Sequence, residues 1–444
     1  MKRLSLTLLL AASLWACTSD VLPNPIDATL KNRLEYLSSN GSIDHFILPE
    51  ANNYDAIPQD INNPLTEEKV ALGKLLFYET GIARDPVHEE GLGTYSCATC
   101  HVPTAGFMPG RIQGIADGGL GFGQNGESRD QSPTYADGQM DVQGARPIGL
   151  LNVAFVSNTT WNGKFGANHN NVGTEAVWGV GDETTEVNHL GMSGLETQNL
   201  EGLDLHRMVI DDYVLDELGY RVLYDLAFPD FPVEERYSKM ATSFAISAYL
   251  RTLLSTEAPF QNWLKGDIAA LSDDEKAGAV LFYNKAGCYR CHQGAAMSAN
   301  EFHALGVKDL YEAGGYQTGP EDKRNLGRGG FTGRAEDLYK FKVPSIYNMG
   351  ESPFYFHGSS KRSLLALVEY FNEGVAENLN VPDEQLSPFF HPLNLTKEEV
   401  NQLVSFLDRG LTDPNLNRYV PEHVLSGNCI PNNDYTTKYD LGCE

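Results

Sequence analysis

The apolar positions of this chain form a few helical stretches separated by long passages without period. From Thr66 the pattern is helical, with Leu72, Leu75 and Leu76 on one face, and it ends in Gly73-Lys74-Leu75-Leu76-Phe77-Tyr78. The same cadence returns in Gly278-Ala279-Val280-Leu281-Phe282-Tyr283, on a helix that begins with Ser272-Asp273-Asp274-Glu275. That is a capping box, in which the Ser oxygen and the Glu carboxylate satisfy free backbone donors. Helical spacing resumes near Leu195 and again from Val233 to Leu254, where Pro232 suits a helix start. In this last stretch Tyr237, Ala241, Phe244 and Ala248 share one face, and Ile246, Leu250 and Leu253 share the opposite one. Apolar residues on two faces predict a deeply buried helix. Ser255-Thr256-Glu257-Ala258-Pro259 breaks it and marks a domain boundary. Gly106 to Gly144 is Gly-rich with few apolar residues, so it is expected to be ordered by what it wraps, and a polar insertion runs from Lys164 to about Ser193. Residues 18–64 scatter Asn, Pro and Asp with little period and read as a tether followed by an N-terminal wrap.

Each copy of the cadence precedes a motif that gives the pattern its meaning. Cys97-Ala98-Thr99-Cys100-His101 and Cys288-Tyr289-Arg290-Cys291-His292 both read Cys-x-x-Cys-His, the attachment signature of a c-type haem. Two thiols about one helical turn apart can bond the two vinyl groups, and the adjacent imidazole then falls beneath the iron. A redox dithiol or half a zinc site is the other reading of one copy. Zinc sites built from two such pairs bring them within about 20 residues, whereas most of a domain separates Cys100 from Cys288. The chain therefore reads as internally duplicated, with two covalently bound haems. A second capping box, Thr396-Lys397-Glu398-Glu399, opens a final helix with Val400, Leu403, Val404 and Leu407 at helical spacing, expected to pack on the haem-motif helix.

At 444 residues the chain exceeds one ordinary core. Met1-Lys2-Arg3 is a basic n-region, Leu4 to Ala12 is mostly apolar, and Leu14-Trp15-Ala16-Cys17 resembles a bacterial lipobox. Residues 1–17 are thus expected to be a lipoprotein signal, with Cys17 lipidated and the protein tethered at the periplasm or cell surface; a plain secretory peptide is the alternative. Of seven cysteines, four belong to haem and one to lipid, and an oxidising compartment would let Cys429 pair with Cys443 in the tail, residues 421–444. A formal charge of -26 excludes a phosphate-binding face and with it a nucleic-acid partner. An acidic surface also suits a basic redox partner.

Both haem motifs, the repeated cadence, Trp161-Asn162-Gly163-Lys164 and Phe341-Lys342-Val343-Pro344-Ser345-Ile346-Tyr347-Asn348 stand in an order that resembles the bacterial dihaem cytochrome c peroxidases, over roughly residues 66–410. The resemblance implies a mainly α fold with two cytochrome c-like haem domains and long irregular loops. Residues 65–256 would be the peroxidatic domain and 257–420 the electron-transfer domain. It implies reduction of hydrogen peroxide at the haem held by His101, with electrons arriving at the haem held by His292 from a small cytochrome c or cupredoxin. Trp161 matches the family's tryptophan between the haems, and core packing is its plainer reading. Gln198 carries over as a peroxide-pocket residue. The family's catalytic Glu does not, because Arg207 precedes Met208; His206 is the candidate substitute and Glu201 the second choice. With no histidine between His101 and His169, the first iron is expected to stand open or to borrow Met108 or Met140. Phe371 occupies the usual ligand position of the second iron, which leaves Tyr370, Met349, Met297, His303 and His357. An interdomain calcium is a further expectation, with Arg146 standing where an Asn ligand belongs. Relatives that oxidise residues of a partner protein provide a second functional reading, and a non-enzymatic electron carrier with two six-coordinate irons a third.

Overall fold

The computed structural model describes residues 25–443, so the signal and Cys17 lie outside the described residues. Its regular structure is helical: α1 Pro25–Leu37, α2 Glu67–Tyr78, α3 Gly194–Leu205, α4 Tyr220–Ala227, α5 Lys239–Arg251, α6 Pro259–Leu264, α7 Asp273–Phe282, α8 Arg328–Thr332, α9 Leu364–Glu373, α10 Lys397–Ser405 and α11 Tyr435–Leu441. Two short antiparallel pairs complete it, β1 Gly119–Leu120 with β2 Asp130–Gln131, and β3 Ala299–His303 with β4 Phe341–Val343. No helix among the described residues is long and apolar enough to cross a membrane.

Capping largely sets the helix starts. Thr66 Oγ1 accepts from the Lys69 amide at the head of α2. The two capping boxes, Ser272 with Glu275 and Thr396 with Glu399, form at the heads of α7 and α10 as expected. The expected start at Pro232 is corrected. Residues 232–238 make turns, and α5 begins only after Ser238, whose hydroxyl accepts from the Ala241 amide. A polar side chain able to cap outweighs a proline that merely fits the first turn. Every residue of α5 from Ala241 to Arg251 is buried, as apolar positions on two faces require.

Two hydrophobic cores result. The first gathers α2, α3, α4 and α5, and the second gathers α1, α6, α7, α9 and α10. The repeated glycine explains how the helices meet. A Cβ built on Gly73 would stand 1.8 Å from the Ala245 carbonyl oxygen of α5, and one built on Gly278 would stand 2.1 Å from the Gln402 carbonyl oxygen of α10. Each cadence thus puts a glycine where one helix backbone touches another. The final helix α10 packs on α7, the helix before the second motif, rather than on the motif itself.

The chain ends exchange halves. Residues 25–37, in the stretch read as a tether and N-terminal wrap, form α1 and dock on the second core. Asp27 pairs with Lys276 at 2.9 Å in a buried contact, accepts from Trp263 Nε1 at 2.8 Å, and Arg33 Nε donates to the Tyr283 carbonyl at 2.7 Å. The pairing of Asp27 offsets the cost of burying its charge, which composition alone does not reveal. The opposite end returns to the first core as a strap. Asp434 binds the buried Arg129 at 3.2 Å and accepts from the Gly121 amide, while Cys429 and Cys443 form the expected disulfide. Gly106 to Gly144 has little regular structure, as expected, and wraps Arg129, which donates to the Ile115, Ala116 and Gly121 carbonyls.

Gly73→Ala and Gly278→Ala should each destabilise the protein by about 1–3 kcal/mol, since a methyl group there meets backbone rather than a yielding side chain. Thermal unfolding followed by circular dichroism checks this, with a lowered midpoint expected for both.

Candidate functional site

The first motif is a tight turn. The Thr99 amide donates to the Ser96 carbonyl, the Ser96 amide donates to Thr99 Oγ1 at 3.0 Å, and the His101 amide reaches the Cys97 carbonyl at 3.1 Å. The strap lies on it: Ser96 Oγ and Thr99 Oγ1 both donate to the Pro431 carbonyl, at 2.8 and 3.0 Å. His101 Nδ1 lies 3.2 Å from the Phe107 carbonyl, which holds the ring with Nε2 outward. The second motif repeats the device. His292 Nδ1 lies 3.1 Å from the Met297 carbonyl and 3.2 Å from the Pro344 carbonyl, so the Phe341–Asn348 segment serves to present an oxygen to this imidazole. A hydrogen bond at Nδ1 fixes the tautomer that leaves the Nε2 lone pair for a metal. Burial pushes both imidazoles down to about 4, against the pull of those carbonyls, so both rings are neutral at pH 7.

The residues present fit two haems. Cys97, Cys100, Cys288 and Cys291 are all free thiols. Cys288, Cys291 and His292 line a cavity of about 1670 Å³ of atom-free space that opens to solvent, with Trp161, Phe371 and His357 on other walls. Two buried cations in this cavity lack a carboxylate. Lys342 Nζ has no hydrogen-bond partner, and burial pushes it down to about 7. Arg146 donates to the Pro109 carbonyl and Ser352 Oγ but leaves Nε unpartnered, and burial pushes it down to about 9. Propionate carboxylates are the partners that such cations need. At the first motif Gly114 packs closely on Cys100, where a Cβ would stand 2.7 Å from Sγ.

Trp161 is half-buried in the wall of this cavity at the second motif, where its Nε1 donates to the Arg146 carbonyl at 2.6 Å and its own carbonyl accepts from the Lys342 amide. His357, also on this wall, is held at Nε2 by Asp309 at 2.9 Å and stacks on Phe341 at 3.5 Å. Both ring nitrogens of His303 are engaged, by Ser387 and Glu301. Met349 and Phe371 line the cavity too, and so does Met108, which had been considered for the first iron. Met140 packs with Ile115 and Tyr135 in a small apolar cluster of its own. Tyr370 donates its hydroxyl to the Leu305 carbonyl at 2.6 Å, and Met297 is fully buried.

The acid-base candidates sit on or after α3. Gln198 and Glu201 are half-buried on the helix, and His206 is its C-terminal cap. Only His206 is tied to the surroundings of the first motif. Its carbonyl accepts from Tyr95 Oη at 2.9 Å, its charge is felt at His101, and its Nδ1 lies 2.6 Å from Asp141 Oδ2. Two residues on, Met208 Sδ lies 4.0 Å from Cys97 Sγ. Burial pushes His206 down, but the Asp141 carboxylate and hydrogen bond outweigh it and the net shift is upward. Asp141 itself lies in the Gly-rich passage, and no sequence signal singles it out. Lys342 was within a quoted motif, but only its burial shows why a cation stands there.

The sequence profile of the family described as di-haem cytochrome c peroxidase matches residues 67–269. The methylamine utilization protein MauG of Methylorubrum extorquens is 28% identical over 366 residues, covering 81% of this chain and 83% of that one. The cytochrome-c peroxidase IdrP1 of Denitromonas iodatirespirans is 25% identical over 383 residues, covering 81% and 85%. Among solved structures, a MauG-like protein associated with microbial copper homeostasis shares the fold, with a TM-score of 0.58, 22% identity and coverage of 83% and 94%.

Gly114→Ala should interfere with thioether formation at Cys100, so haem per protein, measured as the pyridine haemochrome, is expected to fall from about two towards about one.

Proposed function

Because this chain belongs to the di-haem cytochrome c peroxidase family and is an oxidoreductase of that kind, we propose that it reduces hydrogen peroxide to water with electrons from a small cytochrome c or cupredoxin. The observation that carries this reading is the unequal cover of the two motifs. Ala98, Thr99 and Cys100 are buried and Cys97 is half-buried, with Ser96 and Thr99 bonded to the strap, whereas Cys288, Tyr289 and Cys291 are all half-buried and Arg290 is exposed. An electron donor needs an open haem edge, and peroxide chemistry needs an enclosed site with an acid-base group. In this reading residues 65–256 form the peroxidatic domain and 257–420 the electron-transfer domain, with α1 and the strap fastening each to the other.

When bound, the haems supply an iron open to peroxide and a path for electrons. The chain supplies everything around them. His101 and His292 would each offer Nε2 to an iron, Arg146 and Lys342 would neutralise propionates of the second group, and Trp161 would serve it as an aromatic intermediary. Beside the first motif His206 would move a proton between the peroxide oxygens, with Gln198 and Glu201 on the helix that His206 caps. Calcium has no part in this reading, since Arg146 puts a cation where its ligand was expected. Lipid at Cys17 would tether the enzyme at the periplasmic or outer face. One observation favours oxidation of a partner protein as the second reading: Leu205 and Val209, which flank His206, are exposed and could meet a protein surface.

Visible and EPR spectra of the oxidised protein should show high-spin iron, followed by turnover when peroxide and a reduced donor are added. Two low-spin irons inert to peroxide would overturn the reading. His101→Ala is expected to abolish peroxide reactivity while the second haem stays bound; unchanged turnover would refute the division of labour.

A further inference from the structure

The strongest unassigned feature is a carboxylate that the reaction as described does not use. We propose that Asp141 is a positioning residue, which holds His206 through Nδ1 so that its Nε2 is the atom that carries the proton in peroxide cleavage. The inference rests on the peroxidase reading and adds a residue to it. Asp141 is suited to the task because it is itself fixed and mostly enclosed, with its side chain 10% exposed against 33% for His206. Its amide donates to the Asp117 carbonyl at 2.9 Å, and the Ala116 amide donates to its carbonyl at 2.9 Å. Asp117 is fixed in turn by Tyr135 Oη at 2.6 Å, by the Val87 amide at 2.8 Å and by Arg207 at 3.3 Å. The imidazole is held from the backbone side as well, by Tyr95 through the His206 carbonyl and by the Gly202 carbonyl through the His206 amide. Ring and carboxylate thus have fixed places at both ends of a 2.6 Å contact.

The chemistry follows from that geometry. With Nδ1–H donated to Asp141, Nε2 has the lone pair and takes the proton of one peroxide oxygen. It returns that proton to the other oxygen as the O–O bond breaks, and that oxygen leaves as water. The oxygen left behind becomes a second water with two electrons from the small redox donor and two solvent protons, so one peroxide consumes two electrons and two protons in all. A carboxylate behind an imidazole fixes its tautomer and stabilises the imidazolium formed on the way. The charged and titrating groups around His206 are Asp141, Asp117, Arg207, Tyr95 and His101. Of these, Asp141 holds the proton on, and Arg207 acts against it.

The test compares Asp141→Asn, Asp141→Glu and His206→Gln with the wild-type holoprotein, each checked for two haems and an unchanged oxidised spectrum. Two readouts are taken against pH: kcat/KM for peroxide, and the rate of cyanide binding to the oxidised protein followed at the Soret band, which needs no turnover. Both should rise with pH through the titration of His206. In Asp141→Asn the midpoint is expected about one unit or more lower, because an adjacent opposite charge shifts a pKa by about 1–3 units. The peroxide plateau is expected to fall about tenfold or more, as loss of tautomer control in a triad can cost about 10⁴-fold. Asp141→Glu should restore part of both, and Asp141→Asn added to His206→Gln should cost nothing further. Midpoints and plateaus unchanged in Asp141→Asn would overturn the inference alone. A wild type that never turns over peroxide would overturn the peroxidase reading and this inference with it.

Discussion

A neutral imidazole held still, with Nδ1 bonded and Nε2 left free, is a demand that much of this chain is arranged around meeting twice. Each time a backbone carbonyl takes the Nδ1 proton: Phe107 for His101, and Met297 with Pro344 for His292. Carbonyls do this better than side chains because the fold fixes them and they never titrate. Meeting the demand fixes the neighbours as well. Phe107 takes up its position at positive φ just after a left-handed glycine, Gly106, and Pro344 leaves β4 at the edge of the cavity at the second motif. The thiols come in the same turn as the imidazole, so one short segment sets all three attachment points.

The duplicated cadence has its physical reason in the same arrangement. The helix before each motif must lie close to another helix to make a firm base, and a glycine at the crossing removes the side chain that would keep them apart. Both crossings use it, Gly73 against Ala245 and Gly278 against Gln402. The bases thus match, although the loops above them share little.

What could be read from the sequence follows from how local each feature is. Caps, cadence and haem motifs are contiguous, so Ser272, Thr396, Cys97 and Cys288 announced their roles. Features made by distant segments did not. Asp27 finds Lys276, Asp434 finds Arg129 and Asp141 finds His206 across spans that no period or spacing encodes. Residues 25–37 read only as part of a tether and N-terminal wrap, because their polar composition hides a helix that depends on partners in the other half. The helix start at Pro232 went wrong for a smaller reason, since Ser238 offered a cap that the apolar pattern had run past. Of the candidate site, the two Cys-x-x-Cys-His motifs stand out by spacing, while the unpaired cations Arg146 and Lys342 become visible only through their burial.

The crossing of the chain ends sets an order of assembly. Asp27 is separated from Lys276 by 249 positions, and Ser96 from Pro431 by 335. As the polypeptide emerges from its amino end, the first helix must wait for most of the second half before it has anywhere to dock. The segment over Cys97–His101 follows the motif by more than 300 positions, and its disulfide needs Cys443. The motif is therefore covered only after residues 429–443 have followed it. An interval is thus left in which both thiols of the motif stand without this cover.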